Sequence, residues 1–107
     1  MTYGDLITVS LRGDYGKPRP ALIVQSNRYA HLNSVTVLPL TSHLTDSEPC
    51  RVIIEPSSIN GLRERSMVMV DKAATVAREK TGPVIGSLSN DDMAAVNRAL
   101  AIFLGIV

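Results

Sequence analysis

Three short stretches of this 107-residue chain carry side chains that could act on a phosphate group. The first is Lys17-Pro18-Arg19-Pro20. Each cation precedes a proline, which biases it to extended backbone, and each proline fixes its own φ. A guanidinium on so stiff a mount loses little freedom on binding, and its planar fork matches phosphate oxygens. The same four residues also make an ordinary proline-rich turn with an incidental arginine. The second stretch is Thr41-Ser42-His43, directly after Leu38-Pro39-Leu40. Two hydroxyls can donate hydrogen bonds to a phosphate, and an imidazole can pass a proton near neutral pH. A polar loop cluster is the plain alternative. The third is Asp71, after Met67-Val68-Met69-Val70. Its carboxylate could serve as a general base, or pair with Lys72 in a turn.

These residues need strands to hold them, and the pattern supplies strands. Residues 5–11 alternate, with Ile7, Val9 and Leu11 on one face, and predict a first strand. Residues 12–18 form a loop punctuated by two glycines and a proline. Residues 19–26 predict a second strand, whose Ala21-Leu22-Ile23-Val24 run implies burial on both faces. Residues 35–40 predict a third, with Pro39 marking an edge or a bulge. Residues 41–49 are polar loop, 51–55 a short fourth strand, and 56–65 a turn-rich connection containing Asn60-Gly61. A fifth strand follows over 67–70, and 74–77 with Val84-Ile85 add one or two more around Gly82-Pro83. Five to seven short strands imply a mostly β chain, a small SH3-like rolled antiparallel barrel.

The ending reads differently. Ser89 can cap a helix, with Asp91 and Asp92 in its first turn, and Gly105 can stop it. Met93, Val96, Leu100, Phe103 and Leu104 recur at helical spacing between them. The pattern predicts an amphipathic helix over about 91–104, laid across the barrel with Val96, Leu100 and Leu104 inward.

Composition narrows the classes. With 45% hydrophobic and 20% charged residues the chain is an ordinary globular protein, expected to fold as one domain over 1–107. Only 4% is aromatic, with no Trp and one Phe, so the core must be aliphatic. A sheet that stacks bases on several aromatics does not fit. The single Cys50 excludes an internal disulfide and reads as a small strand-edge residue. His31 and His43 have no metal-ligand spacing, so neither metal nor cofactor is expected. The N-terminus has no basic leader region, and the longest apolar run, 99–107, is less than half of the ~20 residues that cross a bilayer. A cytoplasmic protein with no membrane attachment is expected. The net charge is +1, but it is uneven. Arg12, Lys17, Arg19 and Arg28 against Asp14 make a local +3, while Asp46, Glu48 and Glu55 against Arg51 make a local −2. A basic groove fits inside a near-neutral total, with Lys17, Ser42, Arg12 and Arg28 as candidate substrate-binding groups.

Taken in order, Gly4-Asp5, Arg19-Pro20-Ala21-Leu22-Ile23-Val24, Pro39-Leu40-Thr41-Ser42 and Val70-Asp71 resemble the MazF/PemK toxins. The similarity runs from about Gly4 to the C-terminal helix. It implies a barrel with a C-terminal helix and the toxin role of a toxin–antitoxin pair. It also implies sequence-selective endoribonuclease cleavage of single-stranded RNA without metal or cofactor. There the ribose 2′-OH attacks its own phosphate, leaving a 2′,3′-cyclic phosphate and a 5′-OH. By the same resemblance Arg19 and Thr41 occupy the catalytic positions, Ser42 flanks the same phosphate, and Asp71 matches an acidic residue with a base role. A guanidinium is permanently charged, so Arg19 suits charge stabilisation of the pentacoordinate phosphate better than proton transfer. Asp71 and His43 both stay open as the proton carrier. A homodimer is implied, as is a cognate antitoxin whose acidic disordered segment folds into the groove.

The chain departs from the family in two places. Its 12–18 loop is short and lacks the Glu-Gln or His of many members, and Met69 stands where one branch has an arginine. The gyrase poison CcdB shares this fold and ends in an aromatic-Gly-Ile sequence. Leu104-Gly105-Ile106-Val107 is similar to that ending but lacks its Trp. Gyrase poisoning is therefore the alternative activity, and a catalytically inactive SH3-like interaction module a third, because fold alone fixes no function.

Overall fold

In the computed structural model, which describes residues 1–11, 17–45 and 50–107, seven strands form a curled antiparallel sheet. They are β1 (Asp5–Val9), β2 (Arg19–Ile23), β3 (Ser34–Thr41), β4 (Val52–Ile54), β5 (Ser66–Val68), β6 (Ala74–Ala77) and β7 (Val84–Ser87). One helix, α1 (Asn90–Phe103), closes the chain. The spatial order is β4-β5-β3-β2-β1-β7, and β6 also pairs with β3. The expected rolled, mostly β architecture with a C-terminal helix is the one observed.

The long strand β3 is the hub. One edge pairs with β2 through Ala21↔Pro39, Leu22↔Leu38 and Ile23↔Val37. The other pairs first with β6 at residues 34–37, then with β5 at Leu40 and Thr41. Pro39 sits where that second edge changes partner, so it marks neither a sheet edge nor a bulge. Its carbonyl points to the changeover and accepts from the Met69 N–H at 2.9 Å. The missing Pro39 donor faces the same gap, where no ladder bond is lost. The fifth strand ends sooner than its apolar run because Val70–Lys72 winds into a single 3-10 turn.

Both faces of the sheet are buried. Leu6, Leu22 and Leu38 lie in one row across β1, β2 and β3. They pack with Leu40, Ile54, Val68, Val70, Met93 and Val96 beneath α1. Ile7, Val9, Ala21, Ile23, Val35 and Val37 form a second cluster on the opposite face. This is the two-sided burial expected for β2, and it explains why its alternation is so weak. Each fully buried leucine stabilises the fold by roughly 1.5–3 kcal/mol.

Helix α1 starts as its residues dictate. The Ser89 Oγ accepts from the Asp92 N–H at 3.1 Å, with Asp91 and Asp92 on the positive end of the dipole. It stops at Gly105, whose φ is +75°. There the Gly105 and Ile106 N–H groups donate back to Ile102 and Ala101, satisfying the last carbonyls. The inward stripe is shorter than expected. Met93 and Val96 are buried and Leu100 is half-buried, but Leu104 is 57% exposed. The cluster beneath the helix ends at Ala99 and Leu100, one turn short of Leu104, so nothing in the chain's own sheet covers it. Among the described residues no helix is long and apolar enough to cross a membrane.

Candidate active-site cleft

Strand register assembles the first pair of candidate residues. The β2–β3 ladder runs through Leu22↔Leu38 and Ala21↔Pro39. The ladder ends there, with Arg19 two residues before Ala21 on β2 and Thr41 two residues after Pro39 on β3, so both lie at the same end of the sheet. On its other side Arg19 pairs with Val9. Residues distant in sequence thus come to one end of the sheet. The Nε of Arg19 is buried, so the guanidinium is rooted in the protein at its base.

The Thr41 hydroxyl oxygen accepts from the backbone N–H of His43 at 3.1 Å. This local turn folds the chain back at the strand exit. It uses one acceptor lone pair and leaves the O–H proton to be donated. His43 is exposed beside Thr41. Ser42, between them, reaches an open cleft of about 610 Å³. Lys17, Arg19, Ser42, Arg63 and Glu64 supply its polar wall, and Pro18, Pro20, Leu40, Leu62 and Ile85 its apolar floor. Three cations and one carboxylate give this lining a net positive charge. Such a cleft matches a phosphate attached to a flat, partly apolar group.

Other expected residues lie elsewhere. Arg12 falls outside the described residues, as do Asp14, Asp46 and Glu48. Arg28 is exposed in the 3-10 turn Asn27–Tyr29, past the far end of β2. Arg19 opens that strand and Arg28 follows its end, so extended backbone separates them and the local +3 is not one patch. Asp71 does not line the cleft. Both of its oxygens are taken by Arg51, Nε to Oδ1 at 3.0 Å and Nη2 to Oδ2 at 3.3 Å. Its partner is therefore Arg51 and not the neighbouring Lys72. The hydrogen bonds from Arg51 hold the Asp71 carboxyl below its ordinary value of 3.8, against the opposing pull of burial. Cys50 is half-buried, and no group of three His, Cys, Asp or Glu among the described residues could hold a metal ion.

Arg63 and Glu64 belong to the turn-rich connection of residues 56–65 and are not among the candidates above. Asn60-Gly61 is the signal that could have found them, since it implies a tight loop with a fixed exit. Asn60 is 3% exposed and fully used. Its Nδ2 donates to the Glu55 carbonyl at 2.8 Å, and its Oδ1 accepts from the Ser57 and Leu62 N–H groups at 3.0 Å each. The loop is also clamped to β7, where Ser87 N–H donates to the Ile59 carbonyl at 3.1 Å. A Cβ at Gly86 would run into the Ile59 and Asn60 backbone, so this approach needs glycine. The clamp delivers Arg63 and Glu64 to the cleft from a rigid base.

Known proteins share this fold. A model of the PemK-like, MazF-like toxin of type II toxin–antitoxin systems matches residues 2–104. A protein of Mycolicibacterium smegmatis named "Probable endoribonuclease MazF" is 45% identical over 107 residues, covering 99% of this chain and 98% of that relative. Among solved structures, an endoribonuclease in complex with its cognate antitoxin, from a mycobacterial species, superposes with a TM-score of 0.84 at 27% identity. That match covers 100% of this chain and 97% of the other. The Mycobacterium tuberculosis toxin MazF-mt6 gives 0.80 at 26% identity, over 94% of this chain and 96% of that one.

Proposed function

The chain belongs to the PemK-like, MazF-like toxin family of type II toxin–antitoxin systems, and from that membership we propose that it is an endoribonuclease cutting single-stranded RNA at the cleft lined by Arg19 and Ser42, beside Thr41. The single observation that carries the reading is the basic cleft on which Lys17, Arg19 and Ser42 converge, with Thr41 next to it at the end of β3. A relative of 45% identity named as an endoribonuclease supports it.

The family resemblance implies the reaction, and the side chains supply its participants. The ribose 2′-oxygen attacks the adjacent phosphorus, and the P–O bond to the next nucleotide's 5′-oxygen breaks. The products are a 2′,3′-cyclic phosphate and a 5′-OH, with one proton leaving the 2′-OH and one reaching the 5′-oxygen. Arg19 stabilises the charge of the pentacoordinate phosphorus, and a preorganised donor of this kind contributes roughly 3 kcal/mol. Thr41 and Ser42 donate hydroxyl hydrogen bonds to the same phosphate, and Lys17 holds it at the cleft wall. His43 carries the proton, because its exposed imidazole follows Thr41 and Ser42 at the strand exit, while Asp71 is committed to Arg51 and does not line the cleft. No metal ion takes part, since Arg19 supplies the positive charge.

The toxin works as a cytoplasmic homodimer, each chain one folded unit over 1–107. The exposed apolar end of α1, with Ile102, Phe103 and Leu104, suits a contact with a second copy. Its cognate antitoxin is a chain with an acidic disordered segment that folds along the cleft and competes with RNA. A related endoribonuclease has been solved with its cognate antitoxin, which supports such a partner. The test is RNA incubated with purified protein in EDTA, followed by mapping of the ends. The expected result is cleavage with 2′,3′-cyclic phosphate and 5′-OH termini, and no effect on gyrase supercoiling. Intact RNA together with blocked supercoiling would transfer the activity to gyrase poisoning.

A further inference from the structure

We propose that Glu64 is a specificity-determining residue, whose carboxylate selects a nucleotide carrying an amino group on its Watson–Crick edge, while Arg63 holds that nucleotide's phosphate. The inference rests on the endoribonuclease reading and adds to it the part of the cleft that reads sequence.

Arg63-Glu64-Arg65 is a run of three charges in which the third behaves differently from the first two. Arg65 turns away to Glu55, with Nε to Oε1 at 3.1 Å and both side chains more than half exposed. Arg63 and Glu64 line the same cleft as Lys17, Arg19 and Ser42. Their backbone is held on both sides. The buried Asn60 fixes Leu62 before them, and the Ser66 Oγ donates to the Glu64 carbonyl at 2.9 Å after them. A residue on so rigid a mount can discriminate, because a wrong partner cannot be met by moving the loop.

The charge arrangement identifies the ligand group. A cleft for an RNA backbone alone is best served by cations only, since a carboxylate repels phosphate. Glu64 is the one acid among the described lining residues, set among Lys17, Arg19 and Arg63 over an apolar floor. Its useful partner is a base edge. Adenine, cytosine and guanine each present an amino donor that a carboxylate accepts. Uracil presents two carbonyl oxygens flanking its single N–H, and these oppose a carboxylate. Glu64 therefore disfavours uracil at one position beside the scissile phosphate. Arg63 contributes sequence-independent grip on the backbone.

The experiment is cut-site sequencing on an RNA library randomised around the cleavage position, with wild type, Glu64→Gln, Arg63→Ala and Arg65→Ala. Wild type is expected to exclude uracil at one position. Glu64→Gln, whose amide can donate to uracil carbonyls, is expected to raise the uracil-containing fraction there about tenfold. Arg63→Ala should weaken cleavage of all sequences alike, through KM, with the motif intact. Arg65→Ala, outside the cleft, should change neither. An unchanged motif in Glu64→Gln, or a wild-type motif that accepts uracil at every position, overturns the proposal. A wild type that cuts no RNA overturns the endoribonuclease reading itself, and this inference with it.

Discussion

With both oxygens on the Arg51 guanidinium, Asp71 stays ionised to lower pH than a free carboxylate, and a carboxylate so stabilised is a weak base. Its folded pKa lies below the unfolded one, so the stability it contributes is fully present above the unfolded value near 3.8. That stability is lost as pH falls through the folded value. Wild type is therefore expected to lose more stability than Asp71→Asn between about pH 5 and pH 2 in urea denaturation. Equal losses would show that the pair contributes nothing. In the rate profile, His43→Gln should flatten one limb and Asp71→Asn should not. The sequence made Arg19, Thr41 and Ser42 legible because proline stiffening and hydroxyl clustering are local signals. Asp71 was legible as an acid at a strand end, but its partner was not. Arg51 lies 20 residues away, and only the packing of β4 against β5 brings them together. Arg63 and Glu64 carry no local mark within their turn-rich connection, because the clamp that aims them is built from Asn60 and Gly86.

That clamp is the element on which the cleft depends. Gly86→Ala forces a methyl group into the Ile59–Asn60 backbone. The expected cost is about 1–3 kcal/mol, as for other overpacked sites. RNA affinity should fall with it, since the loop carrying Arg63 and Glu64 must move. Urea denaturation with an RNA-binding titration checks both, and unchanged values would show the loop to be free of β7. Strand periodicity was legible wherever one face alternated, as in β1, and less so in β3, whose Pro39 suggested an edge. The proline is accommodated because two strands share one edge of β3, a tertiary arrangement with no local mark. The helix stripe was read one turn too far inward. Periodicity reports which residues share a face, not how far the sheet beneath them extends.

For the whole molecule, a net charge of +1 conceals a cleft lined by three cations, because acids elsewhere balance the total. Overall charge was thus a poor guide, whereas strand count and the closing helix were sound ones. The exposed Ile102, Phe103, Leu104, Ile106 and Val107 gather at one end of the chain. If this end joins two copies, wild type should sediment as a dimer at micromolar concentration and Phe103→Asp with Leu104→Asp as a monomer. A dimer that persists would place the contact elsewhere. The central claim, that Arg19 and Thr41 form a metal-independent RNA-cleaving pair, is tested most directly by single-turnover cleavage in EDTA. Wild type is compared with Arg19→Ala, Arg19→Lys and Thr41→Val, each shown to be folded and to have wild-type assembly. The expected result is a loss of about 10²-fold or more for Arg19→Ala, with little rescue by lysine, whose point charge lacks the planar fork. Thr41→Val, which keeps the shape and removes the hydroxyl, should fall as well. Cleavage at the wild-type rate by both Arg19→Ala and Thr41→Val would contradict the account and return Lys17-Pro18-Arg19-Pro20 to an ordinary rigid turn.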